Sequence, residues 1–256
     1  MWRGRRKVVF VSGPTTVVGM VLSAMPIGDY DKRLVILTKE RGKISAFAKG
    51  ARKPNSAFLA CSQPFSFGEF TLYEGRSSYN ILSVEIANYF AELRDDIESV
   101  YYGLYFCEFT DYLTKENDDE KDILKLLYQS LRVIGKKTID LTLIRAIFEL
   151  KMIALNGEAP QVFHCVKCGG TAEAYSFSVG CGGLLCRSCH ANDPGAVKLS
   201  TSTIYAMQYI ISAEIEKLYT FTVTKAVLNE LCYCVKRYRE CYVEHEFKAI
   251  ELIQTL

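Results

Sequence analysis

The sequence is poor in the residues and motifs that most enzymes of nucleotide or metal chemistry need. It holds three histidines in 256 residues, and no Gly-x-x-x-x-Gly-Lys-Ser/Thr loop, which excludes a P-loop phosphate cradle. It has no His-Glu-x-x-His and no His-x-Glu with Pro-Cys-x-x-Cys, which excludes the zinc-protease and nucleobase-deaminase centres. No apolar run approaches the roughly 18 residues of a membrane span. The segment Val8–Val11 is too short for the core of a secretion signal. A soluble, cytoplasmic protein with no membrane partner is therefore expected. Internal repeats and low-complexity tracts are also missing. The acidic pairs Asp95/Asp96 and Asp118/Asp119 have no glycine-shaped pocket around them, so they read as solvated surface.

What is present is unevenly distributed. The net charge is +2, yet residues 1–60 hold twelve Lys/Arg against Asp29, Asp31 and Glu40, and the remainder is acidic. Such a split points to a polyanion met by the N-terminal part. Residues 1–18, with Arg3, Arg5, Arg6 and Lys7 ahead of Ser12-Gly13-Pro14, read as a flexible basic arm or a non-native extension.

Residues 19–86 read as about five short strands, the pattern of a small closed β-barrel. Residues 33–38 form a β-rich run and 39–42 a turn. In 43–49 Ile44, Ala46 and Ala48 face one way and Lys43, Ser45, Phe47 and Lys49 the other. Residues 65–73 and 79–86 form a further pair around 75–78. From 87 onward the period becomes helical, so a helical domain is expected over 87–256. Helices are expected over 87–114, 120–134, 138–155, 201–218 and 223–242, with a short one in 244–253. Asp118 or Asp119 caps the second, and Glu116–Asp122 is a solvated loop. The 138–155 segment is apolar nearly all round, which predicts a buried helix ended by Asn156-Gly157.

Ten cysteines in a large chain without an export signal favour metal over disulfides. Cys165-Val-Lys-Cys168 and Cys186-Arg-Ser-Cys189 stand seventeen residues apart, within the range of four-thiolate zinc sites. Gly169-Gly170 and Gly182-Gly183 allow tight turns beside each pair. Four protein ligands leave no open position, so a single structural Zn2+ in a module over 161–196 is expected. His164, Cys181 and His190 are nearby competitors. Cys181 lies outside both pairs and ranks as a spare. A redox Cys-x-x-Cys needs a βαβ setting that the sequence does not suggest. Cys61, Cys107, Cys232, Cys234 and Cys241 read as core residues or plain surface thiols.

Eight Lys/Arg against one acid lie between positions 32 and 53. Cations that follow phosphates beside an aromatic able to stack on a base are the elements of nucleic-acid binding. The candidates are Lys32, Arg33, Lys39, Arg41, Lys43, Phe47, Lys49, Arg52 and Lys53. The alternative for Phe47 is packing beneath the following loop.

The chain resembles the RecO family of bacterial recombination mediators. The resemblance rests on Gly19-Met-Val-Leu22, Gly28-Asp-Tyr-Asp-Lys-Arg33, Leu37-Thr-Lys-Glu-Arg-Gly-Lys43 and Ala46-Phe-Ala-Lys-Gly-Ala-Arg-Lys53. It continues through Gln63-Pro-Phe65, Leu72-Tyr-Glu-Gly75, Phe148-Glu-Leu-Lys151, Gly157-Glu-Ala-Pro160, the first cysteine pair, and Gly182-Gly-Leu-Leu-Cys186 with Cys189. It covers roughly residues 19–195. It implies an α+β chain, with an N-terminal OB-fold followed by a helical domain that carries the zinc module. It also implies binding of single- and double-stranded DNA and annealing of complementary strands. The partners implied are RecR, the acidic C-terminal tail of single-stranded DNA-binding protein and, indirectly, RecA. The setting implied is DNA repair and recombination in the bacterial cytoplasm, at the nucleoid.

This reading describes no enzyme: cations lower the repulsion between strands and base pairing supplies the free energy. The alternatives are a nuclease with a structural zinc, and a docking module whose basic face grips an acidic peptide.

Overall fold

Residues 42–48 alternate between buried and half-buried positions without a break, as a strand with one face in a core must. The computed structural model describes residues 13–75, 78–171, 175–193 and 195–254, and this strand is the third of a closed barrel. The barrel strands are β1 (Thr15–Ile27), β2 (Asp31–Thr38), β3 (Gly42–Ala48), β4 (Phe67–Glu74) and β5 (Tyr79–Asn88), in the spatial order β1-β2-β3-β5-β4. This is the five-stranded Greek-key arrangement of the expected OB-fold. Neighbours are antiparallel except β3 and β5, which run parallel through Ala46↔Tyr79 and Phe47↔Asn80. Ile44, Ala46 and Ala48 face inward against Val17, Val21, Leu34, Ile36, Phe70 and Leu72. Each large side chain buried in this way stabilises the barrel by about 1.5–3 kcal/mol.

The first strand begins at Thr15, which corrects the expected barrel start at residue 19 for residues 15–18. Thr15–Val18 pair with Leu72–Glu69 and close the barrel. That long-range pairing, not local composition, holds them. Gly19 and Gly68 are register partners at this closure, and each lies tight against its other neighbour: a Cβ on Gly19 would sit 2.6 Å from the Leu37 carbonyl oxygen of β2, and one on Gly68 2.1 Å from the Glu85 carbonyl oxygen of β5. The basic arm proper, Arg3 to Lys7, lies outside the described residues, as do Arg76 and Ser77 of the β4–β5 turn.

Residues 115–120 belong to the barrel unit rather than to a free loop. Lys43 N–H donates to the Lys115 carbonyl (2.9 Å), and Asn117 N–H donates to the Arg41 carbonyl (3.0 Å). The Tyr79 hydroxyl donates to Glu116 Oε1 at 3.4 Å. The expected solvated loop is right for the exposed side chains of Glu116, Asp118 and Asp119, and wrong for the backbone. Gly42 makes the contact possible. Its φ is +61°, and a Cβ there would lie 2.3 Å from the Lys115 carbonyl oxygen.

The second unit comprises residues 90–114 and 121 onward. Its helices are α1 (Ile97–Leu113), α2 (Lys121–Lys136), α3 (Leu141–Leu155), α4 (Thr201–Ser212), α5 (Lys225–Tyr242) and α6 (Lys248–Gln254). A 3₁₀ turn over Ala91–Asp95 replaces the start of the helix expected at 87. Asp96 takes extended angles and caps α1 instead, accepting from Ser99 N–H at 3.1 Å. The residue ahead of α2 is Glu120, whose carboxylate turns back to accept from Lys115 N–H. The α3 helix is buried nearly all round, as its sequence demands, and Phe148 stacks on Phe106 with ring centroids 3.9 Å apart. Asp140 caps it and Asn156 ends it. Glu149, 2% exposed, accepts from Tyr105 Oη (2.5 Å), Arg145 Nε (2.9 Å) and Arg239 Nη1 (3.2 Å), tying α1, α3 and α5 together.

Between α3 and α4 lies a three-stranded sheet in the order β7-β6-β8: β6 (Tyr175–Ser178), β7 (Gly183–Cys186) and β8 (Val197–Lys198). Among the described residues, no helix is long and apolar enough to cross a membrane.

Candidate nucleic-acid interface and metal centre

The nine candidate residues occupy two ends of the β2–β3 ribbon. Six steps of about 3.3 Å along β3 separate these ends by about 20 Å. At the β2–β3 turn stand Lys39, Arg41 and Lys43. Arg41 Nη1 lies 3.3 Å from Glu74 Oε2, and its guanidinium stands 5.7 Å from the Tyr79 ring centroid. Burial raises the Tyr79 phenol, while Arg41 works against that rise. Glu40 accepts from Val18 N–H at 3.0 Å. With Glu74, Glu116 and the neighbouring acids of 115–120 beside them, the three cations at this end are balanced or outweighed.

The opposite end differs. Among the described residues, Lys32, Arg33, Lys49, Arg52 and Lys53 stand with Asp29 and Asp31 at this end, and Asp31 Oδ1 is engaged by Gly50 N–H at 2.7 Å. Arg33 projects outward, opposite Phe47 on β3 and Met25 on β1, and its Nε donates to Ser45 Oγ at 2.8 Å. Phe47 is half-buried on the outer face beside Asn80 of β5. Lys32 points to the inner side at the barrel rim, where its Nζ donates to the Ser62 carbonyl at 2.9 Å. Burial, then the Arg52 charge, lowers its pKa below the ordinary lysine value. Lys49, Arg52 and Lys53 are exposed on the turn after β3.

Sequence reasoning missed Tyr30. It sits at the tip of the β1–β2 hairpin and is 54% exposed, with Lys53 Nζ 5.6 Å from its ring centroid. The signal was an aromatic residue in a turn, where Gly, Asn and Asp are favoured.

In the second unit the four predicted cysteines converge. The sulfurs of Cys165, Cys168, Cys186 and Cys189 all lie within 4.8 Å of one another, and those of Cys168 and Cys186 are 3.8 Å apart. A tetrahedron of thiolates about 2.3 Å from a zinc ion has edges of about 3.8 Å, so the donor set fits such an ion. The first pair sits on a turn closed by Gly169 N–H donating to the Cys165 carbonyl (2.9 Å), with Gly169 at φ +70°. Cys186 ends β7, and Val166 N–H donates to the Leu184 carbonyl, which ties the first turn to that strand.

The four sulfurs are close enough to bias one another's ionisation. Burial works to raise Cys165, but backbone N–H groups of Cys186, Cys168 and Lys167 bring it down to about 6. The Ser188 hydroxyl and the Cys189 N–H lower Cys186. Hydrogen bonding to Cys186, then burial, drives Cys189 up to about 12. Four thiols this close cannot all ionise unless a positive ion gathers them. Among the described residues, His164, Cys181 and His190 are outside the converging set.

The helical unit also carries a groove of about 690 Å³ between α4 and the start of α5. Tyr205, Tyr209, Phe221 and Val223 line it, together with the hydroxyls of Ser202 and Thr224.

Comparison with known proteins gives a consistent result. The family profile described as "Recombination protein O N terminal" matches residues 14–90, and "Recombination protein O C terminal" matches residues 94–251. The protein described as "DNA repair protein RecO" of Acetivibrio thermocellus is 33% identical over 239 residues, covering 93% of this chain and 95% of that protein. Its namesake in Alkaliphilus metalliredigens is 33% identical over 240 residues, covering 93% and 98%. That of Shouchella clausii is 30% identical over 238 residues, covering 93% of each. With both of its units matched in order and nearly the whole chain aligned, the protein belongs to the RecO family.

Proposed function

We propose that this chain binds single- and double-stranded DNA at the hairpin end of its barrel, anneals complementary strands, and helps place RecA on DNA coated by single-stranded DNA-binding protein, acting with RecR at the nucleoid. The observation that carries the reading is the charge imbalance at that end, where five cations face two carboxylates on the β2–β3 side of an OB-type barrel. Such barrels bind oligonucleotides on this face and on the loop between strands 1 and 2. The step needs no covalent chemistry. Neutralising two phosphate backbones lowers their repulsion, and base pairing does the rest.

The apolar groove between α4 and α5 suits a peptide end that carries both hydrophobic side chains and negative charge. Its walls are aromatic, and the α5 N-terminus, capped by Thr224, opens beside it. The acidic tail of single-stranded DNA-binding protein would supply the negative charge. In the cysteine module the four thiolates would hold one structural zinc, which supplies a fixed, redox-inert cross-link and no reaction.

The deciding experiment is strand annealing on DNA coated with single-stranded DNA-binding protein. The wild type is compared with the Lys49→Glu, Arg52→Glu, Lys53→Glu triple variant. The variant should lose annealing, and its single-strand affinity should depend less steeply on salt, by about 0.7 in log–log slope per phosphate contact removed. Unchanged annealing and slope would overturn the assignment.

A further inference from the structure

The hairpin tip carries an aromatic ring where a turn has no structural use for one. Tyr30 is 54% exposed, Met25 on the same ribbon is 62% exposed, and Ile27 also lies in solvent. The end of the β1–β2 ribbon thus extends beyond the barrel core with its large apolar groups uncovered. The tip is nevertheless held in place. The Tyr30 carbonyl accepts from Arg52 N–H at 2.8 Å, and the Gly28 carbonyl accepts from Arg52 Nη1 at 3.3 Å. Asp31 anchors the facing turn through Gly50 N–H. One side of the ring is taken by the Lys53 ammonium, and half of the residue's surface remains open to solvent.

We infer that Tyr30 is a stacking platform for an unpaired base, and that it gives this barrel end its preference for single strands over duplex. The inference rests on the DNA-binding reading above and names the group that discriminates between the two forms. An unpaired base offers a free π face, whereas in a duplex both faces are covered by neighbouring bases. A ring fixed beside phosphate-seeking cations therefore adds affinity only for single strands. Lys53 plays a double part: it steadies the ring and brings a positive charge to the adjoining phosphate. Phe47, the aromatic residue favoured by sequence alone, is half-buried in the middle of the sheet between Arg33 and Asn80. It has less free face to offer than Tyr30.

The test uses the full chain and fluorescence anisotropy with a labelled oligothymidylate, a blunt hairpin duplex and an acidic peptide. Tyr30→Ala should weaken oligothymidylate binding about 5- to 150-fold, the range of one base stack. It should leave duplex affinity within about twofold and the salt slope unaltered, because a stack releases no counterions. Tyr30→Phe should restore binding. In Tyr30→Trp the added emission should be quenched by the oligonucleotide and not by the duplex. Thermal melting of each variant should match the wild type, since the ring is exposed.

If Tyr30→Ala binds the oligonucleotide as well as wild type while the Lys49/Arg52/Lys53 variant does not, the stacking role is overturned and the DNA-binding reading stands. If wild type binds neither nucleic acid, both fall. Weakened binding of the acidic peptide alone would overturn the stacking role in favour of a protein-docking tip.

Discussion

Exchanging Cys168 for serine isolates the metal from the packing. Cys168 is the exposed member of the four, so the substitution removes almost no buried surface. In a metal-free protein it should cost within about 0.5 kcal/mol, as ordinary surface changes do. In a metal-loaded protein it removes one of four ligands. Metal binding by such sites is worth roughly 10–16 kcal/mol in isolated modules. The module needs that contribution. Its strands are four, four and two residues long, and its own core is Cys165, Leu185 and Cys186, edged by partly buried groups such as Val166 and Tyr175. One buried leucine stabilises by about 1.5–3 kcal/mol. Docking of Phe177 against Tyr238, centroids 5.8 Å apart, and of the Val162 carbonyl against Gln208 Nε2 at 2.7 Å adds to the module's hold on α4 and α5. The expected result is local: loss of hydrogen-exchange protection over residues 162–198 in Cys168→Ser, with α1–α3 still protected. Wild type should contain about one zinc per chain and lose the same protection on chelation. A wild type that stays fully protected with no metal bound would refute the reasoning.

Three further outcomes follow from the packing and the charges. Glu149→Gln leaves Arg145 and Arg239 without their buried counter-charge, at a cost of about 3–5 kcal/mol; urea denaturation should show it, and a loss below about 1 kcal/mol would mean the carboxylate does not hold the three helices together. Gly42→Ala forces φ +61° on a residue with a Cβ and drives that carbon into the Lys115 carbonyl. It should cost about 1–3 kcal/mol and expose residues 115–120 to proteolysis, and an unchanged digestion pattern would count against the contact. Lys39→Gln, at the balanced end of the ribbon, should change oligonucleotide affinity less than Lys49→Gln at the cationic end. The reverse order in salt titrations would move the interface to the β2–β3 turn.

Much of this architecture is legible in local sequence. The alternation over 43–49 puts Lys43, Ser45 and Phe47 outward because a strand has period two, and the all-apolar circumference of 138–155 can only be buried. The cysteine spacing picks out the four sulfurs that converge because two Cys-x-x-Cys turns each bring a pair of thiols to one side. Contacts between distant segments were not legible. Thr15–Val18 looked like the end of an arm because their partners, Leu72–Glu69, lie some fifty residues on. Residues 87–96 have helical spacing, yet Phe90 at φ +49° and the Asp96 cap put the start of α1 at Ile97. Tyr30 carries little local signal, because an exposed aromatic is marked by its exposure, a property of the folded chain.

The basic cluster shows most clearly where counting fails. Eight cations within 22 positions suggest one continuous field. Folding divides them, and residues 115–120 bring acidic groups to one end only, in a contact that Gly42 alone among the turn residues permits. At that end Arg41 is already satisfied by Glu74 and Tyr79, so transferring it to a phosphate would break existing bonds and gain little net energy. At the other end Lys49, Arg52 and Lys53 are exposed, Arg52 holding only the Gly28 carbonyl at 3.3 Å and Lys53 only one side of the Tyr30 ring, so no carboxylate has to be displaced from them by a phosphate. On the proposed reading a polyanion is drawn to the hairpin end, where Tyr30 would be the first group to tell a single strand from a duplex.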